Sequence, residues 1–188
     1  MGCPVHNEYE EFGKTKVDGL SSEKETSTIL KNTDEKWEYP SEGQLFKALQ
    51  KKHDNIEKQD MHQIVHIHNT VNELAWQKVV EWEKLRNSDK SILSKFEGAP
   101  SYMTPKALWN HYILGYKKPF DVHIWQVVNN NKKVDYYLDF YKGKYSDAFN
   151  SVYVDVRPRL NTFEGIKLRF LRLIEDTTQY FKAPTKKD

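Results

Sequence analysis

Apolar residues are too sparse to form a stripe over residues 1–35, where Ser, Thr, Glu, Lys and Gly dominate, so a flexible N-terminal arm is expected there. The pattern changes at Trp37. This aromatic anchor is followed by Pro40, which favours extended backbone before it, and by Ser41, a helix N-cap residue. A helix over 42–52 follows, with Leu45, Phe46 and Leu49 on one side. The longest helical pattern runs over 60–86. At about 100° per residue, Ile64, Ile67, Val71, Leu74, Ala75, Val79, Trp82 and Leu85 fall on one stripe, which predicts a core-facing helix. A loop over 87–100 leads to a short helix that Thr104 and Pro105 open and Gly115 ends.

From Phe120 the period becomes two. Stretches 120–128, 134–141 and 152–157 are rich in β-branched and aromatic residues and are separated by Asn129-Asn130-Asn131 and by a 143–150 loop. They predict three antiparallel strands. Asn161 to Glu164 reads as a capping box, and Phe163, Ile166, Phe170, Leu173, Thr177 and Phe181 mark the stripe of a closing helix. The expected fold is α+β, with helices packed on one face of a small antiparallel sheet of about three strands. Tyr137, Tyr141 and Trp125 are candidates for the opposite face.

Composition narrows the classes. A length of 188 residues fits one domain with an arm. The balance of 29 basic against 27 acidic residues leaves +2, so bulk charge offers no case for nucleic acid. Five Trp and eleven Tyr exceed what a minimal core requires. They suit either a flat apolar ligand or a large-residue core with a partner-binding face. The single cysteine, Cys3, permits no internal disulfide and no Cys-rich zinc site. No stretch is apolar for the length of a membrane span. The first thirty residues resemble neither a secretory signal nor an Arg-rich presequence, so any organelle entry would use another route.

Among the histidines, His62 and His66 have the i, i+4 spacing of a zinc pair, but they project opposite the apolar stripe and no third ligand is evident. His68 falls inside the stripe, between Ile64, Val71 and Ala75. Two readings follow: a core histidine whose nitrogens are satisfied internally, or a neutral axial ligand to haem iron in an aromatic-lined site. Asn69, Asn72 and Glu73 could orient such a ligand. Cys3-Pro4-Val5 is a short thiolate motif that could bind haem or be inert. Met1-Gly2-Cys3 begins like a myristoylation signal, but His6 stands where Ser or Thr is expected. Phosphate-loop, nucleophile-elbow and paired-carboxylate motifs are absent from the sequence.

The segment from Ile64 through His68-Asn69-Thr70-Val71-Asn72-Glu73 to Trp76, continuing to Trp82-Glu83, resembles the central motif of holocytochrome c synthases, the cytochrome c haem lyases. Trp37-x-Tyr39-Pro40-Ser41-Glu42, Gly115-Tyr116-x-x-Pro119-Phe120-Asp121-x-His123-x-Trp125, Asp139-x-Tyr141 and Asp155-Val156-Arg157-Pro158 match in the same order. The resemblance implies a lyase that attaches haem to the Cys-x-x-Cys-His motif of apocytochrome c, or of cytochrome c1, with haem b as substrate and ligand. It implies His68 as iron ligand and catalytic residue, with Cys3, Pro4, Asn69, Trp76, Trp82, His123 and Trp125 also contacting haem. It further implies a haem lyase domain over 36–183 with a 184–188 tail, and residence in the mitochondrial intermembrane space, peripheral to the inner membrane. A non-enzymatic haem carrier or sensor would keep His68 and Cys3-Pro4 without forming thioethers, and a protein adaptor would need neither. The chain departs from the family pattern at Val122, Ile124, Asp135 and His66, where Arg, Asp, Arg and Arg are usual. Lys78, Arg86, Lys117, Lys118, Arg157 and Arg159 are then the candidate cations for the haem propionates.

Overall fold

The computed structural model describes residues 16–51, 56–86, 90–99, 101–143 and 152–182. Two strands, β1 (Thr26–Leu30) and β2 (Lys36–Glu38), pair as a small antiparallel ribbon. Helix α1 (Glu42–Gln50) and the long α2 (Met61–Glu83) follow. Strand β3 (Ile92–Gly98), helix α3 (Pro105–Tyr112), strands β4 (Asp121–Asn129), β5 (Lys132–Lys142) and β6 (Val152–Pro158), and helix α4 (Phe163–Lys182) complete the chain. The main sheet is an antiparallel meander in the order β3-β4-β5-β6. The α+β class holds, with four strands in this sheet. Strand β3 lies in the stretch expected to be a loop, and β1 lies within the stretch read as an arm.

Local chemistry sets the element ends. Ser41 caps α1 in a reciprocal capping box with Gln44. Thr104 caps α3, with proline in its first turn. Strands β4 and β5 join through Asn130 and Asn131, both in the left-handed region at φ 49° and 60°, as a two-residue hairpin requires. At the last helix the cap sits one residue later than the expected box: Thr162 Oγ1 accepts the Gly165 amide at 3.1 Å, while Glu164 turns away to Lys132. A Cβ at Gly165 would stand 2.0 Å from the Arg159 carbonyl oxygen, so only glycine fits where the helix start presses on that backbone.

Alternation places Val134, Tyr136, Leu138 and Phe140 on the same sheet face as Trp125, Val127, Val154 and Val156. Ala75, Trp76 and Val79 of α2, Ile29 of β1 and Leu168 of α4 close this core. A second, smaller core joins Leu45, Phe46, Ala48 and Leu49 of α1 to Met61. The expected opposite-face trio is corrected at Trp125, which is 2% exposed and packs on Trp76 at 6.5 Å between ring centroids. Tyr137 and Tyr141 do lie on the other face, and α3 covers part of that face, so helices flank both sides of the sheet. Thr104 donates to Asp139 at 2.7 Å, Lys106 pairs with Asp155, and Tyr102 stacks on Tyr137.

Two stripes differ from expectation. Helix α2 buries Asn69 and Glu83 beside Ala75, Trp76 and Val79, while Leu74 points outward. Its rotation follows its polar anchors. Glu83 accepts from Arg86, Asn129 and Tyr136, tying the helix end to the β4–β5 hairpin. In α4 the inward positions are Gly165, Leu168, Arg169 and Arg172: Arg169 donates to the Pro158 carbonyl and Arg172 lies over the Trp82 ring. Phe163, Ile166, Phe170, Leu173 and Phe181 therefore face out, and Trp109, Tyr112, Ile113 and Tyr116 around the end of α3 are exposed as well.

Glu73 ties the ribbon to α2. Its carboxylate accepts from the Ser27 hydroxyl at 2.6 Å, the Thr28 amide at 3.1 Å, the Tyr39 hydroxyl at 2.8 Å and the Thr28 hydroxyl. The Arg157 guanidinium is committed elsewhere, to Asp139 and Asp155. Burial raises the Glu73 pKa, yet the hydroxyl and amide donors outweigh it and hold the group below its ordinary 4.5. The stabilisation is thus fully present above that value and is lost as pH falls through the lower, folded one. Glu73→Gln should cost on the order of 2 kcal/mol in thermal or urea unfolding, because charged hydrogen bonds become neutral. Glu73→Lys, which strands every donor, should cost more.

Candidate active site

His68, on the first half of α2 and flanked by Asn69 and Asn72, lies near the start of β4, which supplies Asp121 and His123, both buried. Tyr39, just past β2, meets the His68 ring edge-on at 6.1 Å and 86°. Glu25, just before β1, reaches Asn69. Asp121 and His123 sit two apart on one strand and so share a face, and the His123 Nε2 lies 3.1 Å from Asp121 Oδ2.

Hydrogen bonding fixes the His68 tautomer from both sides. Asn69 Nδ2 donates to Glu25 at 2.7 Å, so the atom Asn69 presents to His68 Nδ1, at 3.2 Å, is its carbonyl oxygen, and Nδ1 carries the proton. Asn72 Nδ2 donates to the His68 carbonyl at 2.8 Å and lies 3.3 Å from Nε2, which must therefore accept. The imidazole is neutral with its lone pair on Nε2. Burial lowers the His68 pKa; the Asn69 hydrogen bond, next in size, opposes it, and the smaller effects of His123, lowering, and Asp121, raising, follow. A neutral imidazole with a directed lone pair is a metal ligand or a proton acceptor.

Aromatic rings stand beside His68 and further along the helix. Tyr39, Trp76 and Trp125 are buried aromatic rings, and among the described residues the buried His123 Nδ1 and Trp125 Nε1 have no hydrogen-bond partner. The structure brings His68 and Asn69 of α2 near His123 of β4, and Trp76, about two turns further along α2, onto Trp125. It does not bring Trp82 to them: fourteen residues after His68, it lies about 21 Å along the helix and donates to the Val156 carbonyl. Cys3 and Pro4 lie outside the described residues. Of the candidate cations, Arg86 and Arg157 are held by internal carboxylates, Arg159 stands 3.5 Å from Asp135, Lys78 lies over Tyr153 and Lys118 over Tyr112. His62 pairs with Glu42 and His66 is exposed, and among the described residues there is no His, Cys, Asp and Glu cluster able to hold a metal by itself. The sequence missed Glu25 and the placement of Tyr39 against His68, both of which depend on long-range contacts. Asp121 and His123 were legible as part of the Asp121-x-His123-x-Trp125 motif.

A family profile described as cytochrome c/c1 heme lyase matches residues 5–91 and 85–173. A Schizosaccharomyces pombe protein named for holocytochrome-c1 synthase activity is 39% identical over 177 residues, covering 89% of this chain and 80% of the relative. A Chaetomium thermophilum protein named likewise is 41% identical over 150 residues, covering 73% and 52%. A second S. pombe protein, named for holocytochrome-c synthase activity, is 34% identical over 179 residues, covering 86% and 47%. No solved structure matches. The chain belongs to the cytochrome c/c1 haem lyase family. It is an enzyme of the lyase class, with haem and an apocytochrome as its reactants, which removes the non-enzymatic carrier and the adaptor.

Nitrogen-resolved NMR of the ligand-free protein should show His68 protonated on Nδ1 only and titrating below 6.5, its ordinary value. Because the folded pKa is depressed, this stabilisation is present above 6.5 and is lost as pH falls from there toward the folded value. Asn69→Ala should mix the two tautomers and lower the His68 pKa further.

Proposed function

We propose that the chain is a holocytochrome c synthase that binds haem b through a bond from His68 Nε2 to iron and joins it to the Cys-x-x-Cys-His segment of an apocytochrome. The observation that carries this reading is the His68 imidazole, neutral and set by Asn69 with its lone pair on Nε2 among aromatic rings. Asn69 orients the ligand, Trp76, His123 and Trp125 border the haem, and Lys117 and Lys118, on the loop leading into Asp121, meet the propionates. The Cys3-Pro4 segment delivers haem to this site.

The client histidine takes the iron position opposite His68, which sets two thiols against the two vinyl groups and replaces an improbable three-body encounter by proximity. In each addition the sulfur bonds the vinyl carbon next to the ring, and the thiol hydrogen ends on the outer carbon. No atom is lost. The enzyme then releases product by giving up the His68 bond. We place this reaction in the mitochondrial intermembrane space, peripheral to the inner membrane. The exposed apolar rows of α3 and α4 support a surface contact, and no described helix is long and apolar enough to cross a membrane.

A cytochrome c1 client is favoured over cytochrome c by one comparison. Within S. pombe, the relative named for c1 synthase activity is 39% identical and the one named for c synthase activity 34%.

Co-expression with an apocytochrome should give haem that stays on the polypeptide under denaturing conditions. His68→Ala should nearly abolish both haem co-purification and this product, while His62→Ala and His66→Ala should leave them close to wild type. Equal loss in all three would remove His68 from its role. When apocytochromes c and c1 are each supplied alone, c1 should give the higher holo yield, and a preference for c would reverse the client assignment.

A further inference from the structure

Asn72 sits one helical turn after His68. Helical side chains lean toward the N-terminus, so an amide at this position is stationed over the ring four residues earlier. One of its two N–H hydrogens is held by the His68 carbonyl at 2.8 Å, and the other faces the Nε2 lone pair at 3.3 Å. That lone pair is the one an iron atom would need. The two asparagines beside His68 therefore act in opposite directions: Asn69, backed by Glu25, points the lone pair outward on Nε2, and Asn72 engages it.

We propose that Asn72 is a positioning residue that caps the His68 lone pair in the free enzyme and competes with haem iron for it when product leaves. The inference rests on the reading of His68 as the iron ligand. When iron binds, the N–H···Nε2 bond is exchanged for the Fe–Nε2 bond, and no electron or proton changes owner. The carbonyl contact keeps the amide at its post throughout, so it is ready to recapture Nε2 as the iron bond lengthens. A neutral hydrogen bond of this kind reduces ligand affinity by about fivefold. An enzyme that must hold haem firmly and then give it away gains from a competitor of that size.

The sign of the effect separates this role from a structural one. Removing a residue that merely supports the site should loosen haem, whereas removing Asn72 should tighten it. The measurement is the rate at which haem leaves the purified full-length protein for an excess of apomyoglobin, for wild type, Asn72→Ala, Asn72→Leu and His68→Ala. Alanine is the mildest change in a helix and leucine keeps the volume. Both Asn72 variants should release haem about fivefold more slowly than wild type. Unchanged or faster release in either variant, with His68→Ala still poor in haem, overturns the competition and leaves the ligand assignment standing. Wild-type retention of haem by His68→Ala overturns the ligand assignment, and the inference with it.

Discussion

A polar side chain on the buried face of a helix must find a partner or the helix turns to expose it. Helix α2 carries three such groups, and the structure depends on where each finds its partner. Asn69 reaches Glu25 before β1, Glu73 gathers Ser27, Thr28 and Tyr39 from the ribbon, and Glu83 holds Arg86, Asn129 and Tyr136 at the hairpin end of the sheet. All these partners except Arg86 are distant in sequence, so one helix fastens the N-terminal ribbon at one end and the meander at the other. Trp76 and Val79 supply apolar burial between these anchors, but apolar burial is indifferent to small rotations and the hydrogen bonds are not.

That rotation decides what the site is. With Asn69 and Trp76 turned inward, His68 lies at the margin of the buried face, close enough to β4 to feel Asp121 and His123 and still facing Tyr39. Its intermediate placement explains how burial can keep the ring neutral while its lone pair stays addressable. The Tyr39 hydroxyl, bound to Glu73, couples this placement to the ribbon anchor, and its pKa is raised by burial and by that carboxylate.

Much of this was legible in the sequence because it is local. The caps at Ser41 and Thr104, the long helix, the paired asparagines of the hairpin and the strands from Phe120 onward all follow from rules that act within a few residues. Strand β3 was missed because its alternation breaks at Ser94, where the register with β4 shifts between Leu93 and Lys95. Strand β1 was missed because Thr26-Ser27-Thr28 reads as polar linker, while in the fold the Ser27 and Thr28 hydroxyls are held by Glu73, forty-six residues after Ser27. Of the site, His68 and its asparagines were visible as a motif. Which nitrogen carries the proton was not, since that depends on Glu25 fixing the orientation of one amide and on the His68 carbonyl fixing the other.

The reversed stripe of α4 follows from the same preference for fixed polar contacts over apolar area. Gly165 lets the helix start close against Arg159, and Arg169 and Arg172 then take the inward positions through a carbonyl and an indole face. Once those contacts set the rotation, Phe163, Ile166, Phe170 and Leu173 have no course but outward. The inward side thus includes a glycine and two arginines, a composition that no scan for apolar periodicity would choose as the buried side. An exposed apolar row of this length is costly in water and is ordinarily covered. The row stands on the side of α4 turned away from Leu168 and the sheet core.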